Sequence, residues 1–156
     1  MKMFLSIQHK NGFNINRAEL RNAVKKTLVH NGMKISDPYE ISIVFTGRNE
    51  IKEMNREYRN IDRATDVISF AFSEGDGAQF APFLLGDIFI CPEVVAEHAE
   101  KFRTTFENEL IFVVVHGILH LLGFDHHRKS DREKMRKAED IIMKELVSEW
   151  NGRCEK

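Results

Sequence analysis

VVVHGILHLLGFDH, residues 113 to 126, is the stretch on which the reading of this chain turns. It holds His116, His120 and His126, with Gly123 between the second and the third. Residues four apart in a helix lie one above the other, so a helix here points His116 and His120 the same way. Gly123 can end that helix, because glycine takes the left-handed conformation that follows a helix C-terminus. The bend can then bring His126 back towards the other two. Three converging imidazoles make a metal site with room for a fourth ligand. Structural zinc sites usually close all four positions, mostly with cysteine, whereas catalytic ones keep three protein ligands and an open place for water or substrate.

A histidine pair on an apolar helix is by itself compatible with two satisfied core residues. Two features favour the metal. The pair sits in an otherwise apolar run, where unpaired polar rings are costly. The glycine and the third histidine also fall at the spacing of the long zinc-peptidase motif, H-E-x-x-H-x-x-G-x-x-H. In the peptidases the glutamate after the first histidine is the general base. Here that position is Gly117. The metal-binding frame is present and the peptidase's base is missing.

The rest of the composition bounds the class. A chain of 156 residues, 42% hydrophobic and with 12 phenylalanines, can bury a real core in one domain. No run approaches the roughly 18 consecutive apolar residues of a membrane span. The apolar part of the N-terminus, MKMFLSIQHKNGF, is too short for a signal peptide. Cys91 and Cys154 are far apart and outside any C-x-x-C pair, which fits a reduced, cytoplasmic chain. Cys91 is expected at a strand end and Cys154 in a polar tail. The formal charge of -1 excludes a global polycation, so a nucleic-acid partner must use a local patch.

In order along the chain, Met3 to Ile7 reads as a strand. Asn16 opens an N-cap pattern with Glu19, followed by a helix that Asn31-Gly32 stops. Ile41 to Phe45 is a second strand, and Gly47 leads into a second helix with Ile51, Met54 and Tyr58 on one side. A charged connection then carries Arg56, Arg59 and Arg63, with Asp62 and Asp66 as counter-charges, into a strand from Asp66 to Phe70. Arg56 and Arg63 fit a solvated, salt-bridged loop. Arg59 is the more purposeful of the three, since a planar guanidinium grips phosphate through a bidentate fork. Ser73 to Leu84 is expected to be a loop, and Leu85 to Cys91 a strand. Pro92 starts a helix carrying His98, which reads as structural or exposed. Thr104 with Glu107 predicts a capping box ahead of the histidine helix, and Ser130 with Glu133 another ahead of the last helix. In that helix Met135, Ala138, Ile142 and Leu146 form an apolar stripe. The order β-α-β-α-β-β-α-α-α predicts one α/β (α+β) domain over residues 1 to 150, its histidine helix packed on a single sheet, and a polar tail over 151 to 156. Parallel neighbours imply right-handed crossovers.

Two stretches resemble a known family. HGILHLLGFDH, residues 116 to 126, is similar to the motif H-G-x-L-H-L-x-G-[YF]-D-H of the YbeY family of bacterial metal-dependent endoribonucleases. MNREYRNIDRATDVISF, residues 54 to 70, is similar to its second signature, N-x-x-[YF]-R-x-x-D-x-x-T-[DN]-V-[IL]-[ST]-F. LGDIFIC, residues 85 to 91, resembles a weaker third element. The resemblance covers nearly the whole chain. It implies a mixed, mainly parallel four-stranded sheet with about five helices and a zincin-like metal-binding helix. It implies that His116, His120 and His126 bind Zn2+ or a similar divalent metal, and that Arg59 is needed for activity. The implied substrate is single-stranded RNA, in ribosomal RNA maturation at the small-subunit 3′ end and in ribosome quality control. The ribosome or its small subunit is the implied partner, and no membrane is. Two departures stand out: Ala71 where the family often has proline, and His127 directly after the third ligand position, expected to face solvent rather than compete for the metal.

The expected chemistry is metal-assisted phosphodiester cleavage, with Arg59 stabilising charge on the phosphate. Asp66, Asp87 and Asp125 are candidates to orient ligands or handle protons. Two other readings share the frame: a metallopeptidase, against which Gly117 speaks, and a non-catalytic ribosome-assembly factor with a structural metal.

Overall fold

The computed structural model describes residues 1–7, 12–148 and 150. The strands are β1 (Lys2–Ile7), β2 (Glu40–Phe45), β3 (Val67–Ala71) and β4 (Leu84–Ile90). The helices are α1 (Arg17–His30), α2 (Arg48–Arg59), α3 (Pro92–Lys101), α4 (Phe106–Leu121) and α5 (Lys129–Leu146). The strands form one sheet in the order β1-β2-β4-β3. β1, β2 and β4 run parallel, and β3 lies antiparallel on the edge beside β4. Among the described residues, the expected α+β fold, with a mainly parallel four-stranded sheet and about five helices, is therefore the one observed. Among the described residues, no helix is long and apolar enough to cross a membrane.

α4 is the hub. Val114, Val115, Ile118 and Leu119 are fully buried, and neighbours on nearly every side of the helix are apolar too. A helix that is hydrophobic all round has no solvent face and must be surrounded. α4 accordingly packs against α1, α3, α5, β3 and β4. Beneath it, Ile41, Ile43, Phe45, Ile88 and Ile90 present one face of the sheet. Each such side chain contributes about 1.5–3 kcal/mol relative to exposure. A smaller cluster, Ile51, Ile68, Cys91 and Val94, forms apart from this main core.

A bulge in β4 sets which residues face α4. Glu40 pairs with Leu84 but Ile41 pairs with Gly86, so Leu85 is an extra residue. Leu85 and Ile88 are both buried as a result, although three residues apart. Gly86 sits at φ +141, and a Cβ there would lie 2.1 Å from the Phe70 carbonyl oxygen. Only glycine allows β3 and β4 to approach this closely.

The caps explain most differences from the expected boundaries. Asn16 caps α1 as expected, its Oδ1 accepting from the amides of Ala18 and Glu19. The cap of α4 is Thr105, not Thr104: its Oγ1 accepts from the Asn108 amide. Thr104 is already committed to closing α3, where Arg103 is left-handed (φ +56) and the Thr104 amide donates to the Ala99 carbonyl. Ser130 lies inside α5, whose N-cap is Arg128 with no side-chain cap, so the capping box expected there is absent. β3 and β4 each differ by one residue from the expected strands, and the loop between them contains two short 3-10 turns, Phe72–Glu74 and Ala78–Phe80. Cys91 is buried at the end of β4 and directly precedes α3. The tail over 151 to 156, with Cys154, lies outside the described residues.

Candidate metal centre

His116 and His120 stand one turn apart on the last two turns of α4, their ring centroids 4.6 Å apart at 78°. The helix ends at Leu121 with Leu122 as its C-cap, and Gly123 takes φ +99. Its amide donates to the His120 carbonyl, and the Phe124 amide reaches back to Leu119, closing the left-handed turn. The same turn aims the Phe124 carbonyl at His120 Nδ1, 2.9 Å away. Two residues later His126 arrives, its ring 5.0 Å from that of His120 and 6.2 Å from that of His116.

One nitrogen from each ring falls within 4.8 Å of the others. His116 Nε2 and His120 Nε2 are 3.1 Å apart. Two nitrogens bound to one tetrahedral ion at zinc–nitrogen distances stand about 3.4 Å apart, so the His116–His120 pair already stands near the spacing a shared ion needs, and the His126 nitrogen lies within 4.8 Å of both. Among the described residues, no carboxylate or thiolate joins this cluster. Burial, and then the neighbouring imidazoles His116 and His126, push the His120 pKa down to about 4. Burial, followed by His116 and His127, lowers that of His126. Both rings are neutral near pH 7 and their lone pairs are available for an ion.

The imidazoles line a cleft of about 760 Å³ whose wall includes Arg59, Arg63, Asp66, Ser69 and Asp125. Arg59 is the last residue of α2, and Asn60 follows in the left-handed conformation that turns the chain away. An Arg59 Nη donates to the Ser69 carbonyl at 2.9 Å, and the guanidinium lies 5.5 Å from the centre of the Phe70 ring. That contact holds the cation on the cleft wall. Gly117 faces the floor: a Cβ there would lie 3.0 Å from Ile88 Cδ1 and 3.3 Å from Ser69 Oγ. Ser69 Oγ also donates to the Gly117 carbonyl at 3.4 Å. The sheet thus fills the space in which a peptidase's glutamate would stand.

The three aspartates sit in different places. Asp125 lies between Phe124 and His126, and its Oδ1 accepts from the His127 amide at 3.2 Å. Asp66 lines the cleft, but its Oδ2 meets His98 Nδ1 at 3.2 Å. Asp87 precedes Ile88, which faces α4, so the alternation along a strand turns Asp87 to the other side of the sheet. There it borders a separate hollow with Phe4, Ser42 and Phe72. The structure does not bring it to the imidazoles. His127 is exposed, its ring 5.5 Å from that of His126 and outside the cluster of three.

Two contacts escaped the sequence reading. Glu139 of α5 places Oε1 2.6 Å from His116 Nδ1. It sits four residues from Met135 and beside Ala138, an acid inside the apolar stripe, and that misplaced polarity was the signal. Behind His116, Phe112 stacks at 6.1 Å and in turn stacks on Trp150 at 5.7 Å. Nothing local in the sequence marks that pairing.

The chain matches the family model described as Endoribonuclease YbeY over residues 6–147. A protein of Staphylococcus carnosus (strain TM300) named Endoribonuclease YbeY is 46% identical over 114 residues, 70% of this chain and 74% of the relative. One of Staphylococcus aureus (strain JH9) with the same name is 43% identical over 114 residues, with the same shares. The solution structure of TM1509 from Thermotoga maritima superposes with a TM-score of 0.61 at 31% identity, covering 96% of this chain and 91% of the other. A family match that runs from β1 to the end of α5 takes in every element that builds the three-histidine cleft, and the chain belongs to the endoribonuclease YbeY family.

Proposed function

We propose that this chain is a single-strand-specific, metal-dependent endoribonuclease with zinc as its metal. Its proposed work is in the cytoplasm, maturing the 3′ end of small-subunit ribosomal RNA and taking part in ribosome quality control. The observation that carries the reading is three imidazole nitrogens within 4.8 Å of one another, in a cleft that Arg59 also lines. The names of the relatives supply the substrate class.

His116, His120 and His126 would hold the zinc. When bound, it would polarise a phosphate oxygen and lower the pKa of an attacking water towards about 7. That reduces the need for a glutamate at position 117. Arg59 spends one donor on Ser69, and a guanidinium has five, so donors remain for a phosphate as charge builds on it. Asp125, next to His126, is the proposed proton-handling group. Asp66 would shape the cleft through His98 instead. His116 and His120 are recessed, which favours a strand whose backbone can enter the cleft over a stiff duplex.

Neither other reading gains support. A peptidase needs a base where Ile88 and Ser69 crowd Gly117. A purely structural zinc usually has four protein ligands, and this cluster offers three among the described residues. The test is metal analysis of purified protein beside cleavage of single- and double-stranded RNA, for wild type and His120→Ala. The expected result is about one metal per chain and single-strand cleavage in the wild type, both lost in the variant. Equal cleavage by the variant, or a metal-free wild type that cleaves, would overturn the proposal.

A further inference from the structure

We propose that Glu139 is a positioning residue of the metal centre: it fixes which nitrogen of His116 faces the cleft. The inference rests on the three histidines forming a metal site. A neutral imidazole has one N–H, and an acceptor beside one nitrogen draws the proton there and leaves the other bare. Glu139 Oε1 lies 2.6 Å from His116 Nδ1. His116 Nε2 then carries the lone pair, and it is the nitrogen 3.1 Å from His120 Nε2. His120 is arranged alike by other means. Its Nδ1 lies 2.9 Å from the Phe124 carbonyl, a group that can only accept. Two ligands on one helix thus have acceptors at Nδ1, one from the turn at Gly123 and one from α5.

The way Glu139 is held suits this role. It is only 8% exposed, and Met135, Ala138, Ile142 and Met143 around it are buried. An acid in such a stripe is costly unless it has a partner. Its position follows from the packing of α5 on α4, not from a flexible surface rotamer. Phe112 stacks on His116 and is itself backed by Trp150, which limits rotation. An acceptor on the outer nitrogen of a metal-bound histidine also raises the basicity of the ligand.

The test separates positioning from a contact that merely ties two helices together. Glu139→Leu keeps the stripe apolar, and Glu139→Gln keeps the shape. Zinc affinity is measured by competition with a chromophoric chelator, and the His116 tautomer in metal-free protein by nitrogen–proton correlation NMR. The wild type should carry its His116 proton on Nδ1. Glu139→Leu should move that proton towards Nε2 and weaken zinc roughly 10–100-fold, with near-UV circular dichroism unchanged. Glu139→Gln should fall between the two. A folded Glu139→Leu with wild-type zinc affinity or the wild-type tautomer would overturn the proposal. Should that variant not fold, wild-type zinc affinity or the wild-type tautomer in Glu139→Ala, which has no acceptor, would overturn it equally. Failure of the wider reading looks different: the wild type itself would take up no zinc.

Discussion

Adding one methyl group, as Gly86→Ala, should unsettle both sides of the cleft. At φ +141 the backbone occupies a region that is essentially glycine's, and holding alanine there costs about 1–3 kcal/mol. The new Cβ would also stand 2.1 Å from the Phe70 carbonyl oxygen and 3.0 Å from Leu121 Cδ2. β3 must retreat by roughly an ångström to admit it, an overpacking cost of about 1–3 kcal/mol more. Together these give about 2–6 kcal/mol, against a total stability of about 5–15 kcal/mol for a domain. The displaced pairs, Ala71 with Gly86 and Phe70 with Asp87, adjoin Ser69, whose carbonyl holds Arg59. The assay is urea denaturation followed by the fluorescence of the single tryptophan, Trp150. With a slope of about 2 kcal/mol per molar, the midpoint should fall by about 1–3 M. A loss below about 1 kcal/mol would show that β3 yields freely and that the close approach at Gly86 is not a constraint.

Other perturbations probe the site. Gly117→Glu should lose at least about 3 kcal/mol, because its carboxylate must enter between Ile88 and Ser69. It should also digest no casein, and a stable, proteolytic variant would refute that account of the cleft floor. Arg59→Ala should keep its metal content and lower single-stranded RNA cleavage by about 100–1000-fold; wild-type rates would remove Arg59 from the mechanism. The metal-free protein should lose stability in acid. His120 has a folded pKa of about 4 against 6.5 for an ordinary histidine, so the unfolded chain takes up its proton first. The loss begins as pH falls through about 6.5 and levels off near 4. At pH 5 it should be about 1–2 kcal/mol from His120, discounted for partial exposure, with His126 adding in the same direction. Denaturation midpoints that stay flat from pH 7 to 5 would contradict this.

Legibility from sequence followed the distance over which each contact acts. His116, His120 and the glycine bend to His126 lie within one helix and its exit turn, and their convergence could be read from spacing. α4, largely apolar apart from its histidines and first turn, could likewise be placed against the sheet. The side of the sheet on which Asp87 falls could not, because it depends on the extra residue in β4 and on pairing with a strand more than forty positions earlier. Glu139 meets His116 across 23 residues of chain, and only its odd place in an apolar stripe hinted at a partner. The cap of α4 lies one residue from its expected place because adjacent threonines compete: Thr104 finishes one helix and leaves Thr105 to start the next.

The helix that carries two of the imidazoles is also the one most deeply enclosed, whereas Arg59 stands at the exposed end of α2. Local fluctuations that release a segment short of full unfolding are drawn from regions with few buried contacts. Amide hydrogens along the inner turns of α4 should therefore exchange with solvent only when the whole domain opens, and those near Arg59 far sooner. The cleft would have an immobile floor and a yielding wall, so adaptation to differently shaped substrates falls to the arginine side.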